Sequence, residues 1–542
     1  MQKYNKKLYR IMITVFLLLA LPGCAEARTA KSKADLAEGE ISTPIKLDTT
    51  IGSLAEFVSL QPIPVRGIGL VVGLPGTGST ECPPAVRKYL SQYIMSQLGR
   101  RENISPNKMI DNRDTAVVHV ESIIAPGTLK RDKFDVFVKA LDSTQTTSLQ
   151  GGRLYTTELK FIGRVEESYS ASKTLALAAG PVYIDTLNGS ADQRSGTVIG
   201  GGRSIENHQL MLSLFDPDFR VAAQIRDRIN ERFGKGIANA VSQNVIYISV
   251  PKKYEDYRQR FLELIYSLFI AQSQASQSQQ IDTLVSSMLA DPANTKYTTS
   301  LEAIGKSAAR KLRPLLNSGD EIVQFNAARC LLSMDINDGL SLLRGIAHNS
   351  ASPLRAEAVR AIGDFASKRE VVALMNRMVR GDDFAVRHIA YKYLRKYNAS
   401  SIVRTSVSRD FYLDRVIQIG QKVIYVSRKE ELSIVLFGAP IECARDIYIE
   451  SDDGSIIINA LPDAKSLSIM RKHPFTGTLM GPLKSNFRVA DIVRVLGSQP
   501  SRDDARQKGT IGLGAPYSDI IAILKKMCDS GAVEATFVPG DM

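Results

Sequence analysis

Between residues 115 and 140 apolar side chains recur at every second position. Ala116, Val118 and Val120 share one face, Pro126-Gly127 interrupts the run, and Phe134, Val136, Val138 and Ala140 then alternate with Asp135 and Lys139. A period of two predicts strand, turn, strand, with one wetter face. The period changes further on. Val221, Ile225, Ile229 and Phe233 recur at every fourth position. Asp216 is placed to cap that helix, Pro217 suits its first turn and Gly234 stops it. A strand at Val245 to Val250 ends at Pro251, so residues 51–270 read as an α+β domain.

Residues 271–280 are a run of Gln, Ser and Ala, and 271–282 reads as a linker. Helical periodicity follows. Segments beginning at Val323, Leu354 and Val386 align at offsets of 31 (354 − 323) and 32 (386 − 354), each preceded by another apolar stretch at 308–316, 339–346 and 371–379. Stacked helix pairs of that length resemble HEAT-type repeats, placed over 283–397. A plain helical bundle is the other reading. From 398 to 542 the chain turns strand-like, with short runs at Val423–Val426, Ser433–Phe437 and Ile447–Ile449. An Asp453-Gly454 turn then precedes Ile456–Ile458. These runs either complete the first sheet or form a separate one. Two helices close the chain. Val489, Ile492, Val493 and Leu496 line one, and Ile520, Ile521, Leu524, Met527 and Cys528 the other. The fold class is α+β: a mixed α/β domain split by an all-α HEAT-like insertion.

The stretch Arg66–Thr80 carries five glycines around the apolar run Leu70-Val71-Val72. Gly73-x4-Gly78 approaches a phosphate-binding loop, but Ser79 stands where the lysine for the terminal phosphates belongs. The glycines then serve backbone geometry, by positive φ or by close approach of another chain segment. Arg66, Gly67, Gly69, Gly73, Gly76 and Gly78 are the candidate site residues.

Residues 67–78 resemble the flagellar P-ring protein family, whose members carry a G-x-G-L-V-V-G-L-x-G-T-G run near the mature N-terminus. The resemblance continues in order through Ile124–Gly127, Phe134–Val138, Ser148–Leu154, Leu214–Phe219, Arg228–Gly234 and Val245–Pro251. It returns at Asp519–Leu524 and Ser530–Ala535, while roughly 271–480 departs from it. It implies a ring-forming structural subunit of the flagellar basal body, a periplasmic homo-oligomer around the rod acting as a bushing. The L-ring protein, an assembly chaperone and peptidoglycan are the further partners it implies. The glycine stretch becomes a close-packed element at the assembly surface or inner wall, or else only an internal turn.

The N-terminus supplies an address. Lys3, Lys6, Lys7 and Arg10 precede an apolar core from Ile11 to Leu21, too short to span a bilayer. Leu21-Pro-Gly-Cys24 reads as a lipobox ending a lipoprotein-type signal peptide (residues 1–24), with Cys24 the lipidation site and the outer membrane a possible anchor. Ordinary secretory cleavage near Ala25 to Ala27 is the competing reading. Residues 25–50 read as a polar leader. Cys82, Cys330, Cys443 and Cys528 allow three pairings in an oxidising compartment, and Cys330 and Cys528 fall at apolar helix positions.

Lys and Arg total 69 against 56 acids, a net charge of +13, but the basic residues are scattered and no aromatic-interleaved basic patch marks nucleic acid. His119, His208, His348, His388 and His473 stand alone, so no metal site is expected. No catalytic constellation or cofactor motif is expected either. Asp216 and Asp218 are explained by a helix N-terminus, and Glu166-Glu167 and Asp382-Asp383 by solvated turns. Two rival readings are a lipoprotein adaptor that binds proteins through its repeats and an envelope enzyme acting on peptidoglycan.

Overall fold

The alternation at 115–140 builds one wall of a closed antiparallel barrel. The protein is described here by a computed structural model. It covers residues 49–98, 105–161, 173–187, 192–270, 274–417, 420–429, 431–438, 440–473, 477–499 and 512–540. Cys24, the leader up to residue 48 and Glu166-Glu167 lie outside them; the end of the leader is tied down by a β-bridge between Thr50 and Phe269. After β1 (Ala55–Phe57) come β2 (Ile63–Val72), β3 (Thr115–Ile124), β4 (Lys133–Ala140), β5 (Arg153–Phe161), β6 (Thr174–Pro181) and β7 (Ser195–Ser204). They close in the order β2-β3-β4-β7-β6-β5. Ala116, Val118, Val120, Val136, Val138 and Ala140 point inward with Val65, Val71, Leu154 and Leu159. Side chains of this size fill a small barrel, leaving a packed core rather than a pore. The outer side chains Ile68 and Leu70 of β2 lie under the helix Pro84–Leu98, against Leu90 and Ile94. Leu70–Val72 thus reads as continuously apolar because both its faces are covered.

A small sheet follows, ordered β1-β8-β10-β9, from β8 (Leu210–Leu214), β9 (Ala238–Ala240) and β10 (Val245–Ile248). The helix Phe219–Phe233 lays Ile225 and Ile229 on it. Its cap is Asp218, whose carboxylate accepts from the amides of Arg220 and Val221, and not Asp216 as the sequence suggested. The chain stays extended through Asp218 (φ −147°), so the helix starts two residues later than proline placement implies.

The expected linker is mostly helix. Gln274–Ala290 is a single helix with Ile281 and Met288 buried. Gln, Ser and Ala tolerate helix, and tertiary packing of two apolar residues decides it. The helices Thr295–Ile304, Glu321–Ser333, Leu340–His348, Arg355–Phe365, Lys368–Met378 and Phe384–Lys396 follow. The expected helix at 308–316 is only Ala309–Leu312 between two 3-10 turns, the second of which holds Pro314. Glu321–Ser333, Arg355–Phe365 and Phe384–Lys396 pack on one another in succession.

The C-terminal strands form sheets of their own. One, ordered β11-β12-β14-β13-β19, comprises β11 (Ile402–Ser406), β12 (Tyr412–Val416), β13 (Val423–Val426), β14 (Ser433–Phe437) and β19 (Thr536–Pro539). The other is a meander of β15 (Ile447–Glu450), β16 (Ile456–Ala460), β17 (Leu467–Lys472) and β18 (Leu479–Ser485). Gly454, at φ +66°, makes the expected turn between β15 and β16. The helices Val489–Gly497 and Tyr517–Asp529 share a core with both sheets. Val416, Val423, Val435 and Phe437 of the five-stranded sheet are buried in one cluster with Val359, Ile362, Leu374 and Leu394 of the helices. The helical segment and that sheet therefore have a common core.

Candidate functional site

β2 and the turn after it divide the five glycines into two kinds. Gly67 and Gly69 face the barrel interior. A Cβ on Gly67 would stand 2.2 Å from the Glu158 carbonyl oxygen, and one on Gly69 2.4 Å from Thr157 Oγ1. The β2–β5 register shifts between Arg66 and Val71, where β5 leans into that space. Gly78 is equally tight, 1.9 Å from the Thr115 carbonyl oxygen. Gly73 (φ +78°) and Gly76 (φ +74°) are exposed, and a Cβ there would meet nothing; their requirement is the left-handed backbone.

The turn does not cradle a phosphate. Its amides are spent on carbonyls: Leu74 on Asp114, Gly76 on Leu74, Gly78 on Arg113 and Ser79 on Thr115. Ser79 is buried, and its hydroxyl accepts from the amides of Glu81 and Gln145. The turn is stitched to the segment 147–152. The Thr147 amide donates to the Thr77 carbonyl (2.8 Å), and Thr77 Oγ1 donates to the Ser148 carbonyl (2.8 Å). A Cβ on Gly152 would lie 2.5 Å from Val71 Cγ1. Two glycine-bearing segments far apart in sequence are thus one packed unit at one end of the barrel.

Arg66 points the other way, onto the barrel's outer wall. Its guanidinium lies 2.7 Å from Glu121 on β3, both side chains being near two-fifths exposed. A pair so wet contributes under about 1 kcal/mol, so it orients the side chain more than it stabilises the wall. Exposed Ile123, Phe137 and Pro64 lie around it, with Lys133 and Lys139 along β4. His119 lies between Arg66 and Lys139; burial, then the Arg66 charge, holds its imidazole below the ordinary value.

A polar seam joins the barrel to the C-terminal region, and sequence reasoning missed it. Gln150 Nε2 donates to Asp519 Oδ1 (2.9 Å) across 369 positions. Arg428 pairs with Asp185 at 2.8 Å, each side chain about one-tenth exposed. Arg153 pairs with Asp410 at 2.6 Å. Tyr517 Oη lies within hydrogen-bond distance of the Ser427 and Ser433 carbonyls. Burial raises the Asp519 carboxyl above its ordinary value, against hydrogen bonds from Gln150 and Ser518 and the charge of Arg471. The seam encloses a cavity of about 120 Å³ beside Gly152, Tyr183, Asp410 and Pro516. That is smaller than the ~300–1,000 Å³ of small-molecule sites.

Among the described residues no cluster of three or more His, Cys, Asp or Glu is placed to hold a metal, and Cys82, Cys330, Cys443 and Cys528 are free thiols. No helix of the described residues is long and apolar enough to cross a membrane.

The barrel, its glycine turn and the small sheet coincide with a region of similarity to known proteins. Residues 50–285 match the family model described as "Flagellar P-ring protein". The sequence resemblance is upheld: this region is similar to the flagellar P-ring protein family. A flagellar P-ring protein of Nitrosospira multiformis is 31% identical over 249 residues, which is 43% of this chain and 62% of that relative. One from Anaeromyxobacter dehalogenans is 29% identical over 227 residues, 39% of this chain and 57% of the relative. One from Escherichia fergusonii is 31% identical over 201 residues, 34% and 52%. The chain thus spans less than two thirds of the length of these curated relatives. The P-ring-like region includes Arg66, all five glycines and the capped helix Phe219–Phe233, and it ends within the helix Gln274–Ala290.

Proposed function

We propose that this chain is a structural subunit of the flagellar P ring, exported and assembled as a periplasmic ring around the rod. The similarity of residues 50–285 to proteins of that name carries the reading. The packed barrel supports it physically, since a wall with a filled interior suits a load-bearing subunit better than a binding cup. In a closed ring each copy offers two different patches, one to each neighbour. The Arg66 side of the wall and the exposed turn at Gly73 and Gly76 are our candidates for the assembly surface, while Gly67, Gly69 and Gly78 shape the subunit that presents it. The role is structural rather than catalytic.

The domains we assign are a P-ring-like part (51–270), HEAT-like helical repeats (283–397) and a C-terminal P-ring-like part (398–542). The repeats are read as a docking element outside the ring core, with Arg360, Arg377 and Lys392 on exposed helix faces. Cys24 is read as the lipid attachment point, so that a lipid tethers the subunit to the outer membrane while the ring nucleates.

Electron microscopy of the exported protein, alone and with native rod, tests the ring. Closed annuli of uniform diameter are expected. Particles that remain monomeric at high concentration in both settings would overturn the reading. Mass spectrometry of the mature N-terminus tests the lipid: an acylated Cys24 is expected, and an unmodified N-terminus near Ala25 to Ala27 contradicts it.

A further inference from the structure

In the segment Leu214-Phe-Asp-Pro-Asp-Phe219, Leu214 is buried in the small sheet's core and Asp218 caps the helix that follows. Phe215, Asp216, Pro217 and Phe219 face solvent. Phe215 is 55% exposed and Phe219 70%, and Val241 on the neighbouring turn is 51% exposed. These three lie together at one end of the small sheet. The Phe215 amide donates to the Leu54 carbonyl (2.9 Å), the Leu214 amide to that of Asn244 (2.8 Å) and the Asp218 amide to that of Gln243 (3.0 Å). The tip is therefore held by main-chain bonds before anything binds it, and docking it costs little ordering entropy. Two exposed phenylalanines on a rigid loop form an apolar surface that water solvates poorly.

The tip is remote from the barrel of its own chain. The small sheet meets the barrel at the start of β8, where the His208 amide donates to the Thr128 carbonyl and Arg258 pairs with Asp132 at 2.6 Å. β8 then runs five residues to Leu214, roughly 17 Å at about 3.4 Å per residue. Meanwhile the outer barrel wall exposes Ile123 (61%) and Phe137 (46%). Lys133, Lys139 and Arg66 stand beside them, whereas the tip carries exposed Asp216. The tip is aromatic and presents the Asp216 carboxylate; the wall is apolar and presents Lys133, with Arg66 paired to Glu121 and Lys139 to Asp142.

We infer that the Phe215–Phe219 tip of one copy docks on the Ile123–Phe137 wall of the next copy. Phe215 and Phe219 cover Ile123 and Phe137, and Asp216 faces Lys133 and Lys139. The inference rests on the ring reading and specifies its interface. Because tip and wall are different surfaces, the contact is heterologous and propagates head to tail. The two aromatics are the anchors, and the charges set register and encounter rate.

The full exported chain tests this under the conditions in which the parent forms rings. The paired substitutions Phe219→Cys and Phe137→Cys should give a ladder of disulfide-linked oligomers on a non-reducing gel. Either single substitution, and the parent with its own four thiols, should not. Phe215→Ser with Phe219→Ser should raise the concentration for half-assembly at least tenfold while leaving the unfolding midpoint unchanged. Asp216→Lys should weaken assembly, and Lys139→Glu added to it should restore it. Rings that form normally in the serine variant, with no ladder from the cysteine pair, would overturn this interface and leave the ring reading intact. A parent that never forms rings would instead overturn the ring reading itself.

Discussion

At Gly67 the obstacle to any larger side chain is a main-chain carbonyl, which cannot rotate away. Gly67→Val should therefore cost about 3 kcal/mol, the upper end of overpacking, whereas Gly73→Ala meets only the left-handed backbone and should cost about 1 kcal/mol. Urea midpoints of the two variants check the order; equal shifts would mean that β5 yields freely at Gly67. Asp519 offers a test by pH. Its folded-state pKa is raised, first by burial, so its contribution is complete below the unfolded value near about 4 and is lost as pH rises through the folded value. Asp519→Asn removes that loss. The variant's advantage in melting temperature should grow between pH 4 and pH 7, and a flat difference contradicts the assignment. The glycine positions were legible as backbone constraints, because only glycine clusters so densely around a short apolar run. Which glycine serves φ and which serves approach was not, since Thr157 and Glu158 lie about ninety residues away in sequence.

Among the elements, periodicity served well wherever one face is wet. β4 alternates because its inner face fills the barrel, and Phe219–Phe233 repeats at every fourth residue because one stripe meets the small sheet. Residues 271–282 were read as linker because their composition is polar, and the helix Gln274–Ala290 that takes up most of them buries little beyond Ile281 and Met288. The next helix, Thr295–Ile304, is fastened to the P-ring-like region by a buried ion pair. Glu302, 2% exposed in its side chain, meets Arg260 of the helix Arg258–Tyr266. Burial alone would lower the Arg260 pKa, and the Glu302 charge and hydrogen bond outweigh it. Glu302→Ala leaves Arg260 facing a hole and should cost about 3–5 kcal/mol, with Glu302→Gln costing less. Thermal unfolding checks both, and an alanine variant as stable as the parent would show that Glu263 and Thr299 suffice for Arg260.

Across the whole molecule the helical segment is built in rather than attached. Val435 and Phe437 of the five-stranded sheet are buried against its helices. At its other end Arg232 donates to the Glu302 and Ala303 carbonyls. Removing residues 283–397 should therefore strip a sheet face and give a chain that binds hydrophobic dye and unfolds without a sharp transition. A cooperative, dye-free deletion product would show that the sheet stands alone. Surface changes such as Arg360→Glu with Lys392→Glu thus separate a docking role from folding better than excision. One thiol reports the packing of the helical segment. Cys330 is fully buried and its pKa is pushed up to about 12, so it should resist alkylation until the chain unfolds.

The sequence by itself determined most helices and strands, the glycine turn and the P-ring likeness. Those features are local: each depends on residue spacing within one element or on a motif read in order. Closure of β2 to β7 into a barrel was decided only by the tertiary structure. So were the Gln150–Asp519 and Asp185–Arg428 seam and the core common to the helices and the C-terminal sheet. These depend on residues tens to hundreds of positions apart, whose individual patterns carry no mark of the partner they meet. Burial and hydrogen bonding between distant surfaces select that arrangement, and they act only once the chain is folded.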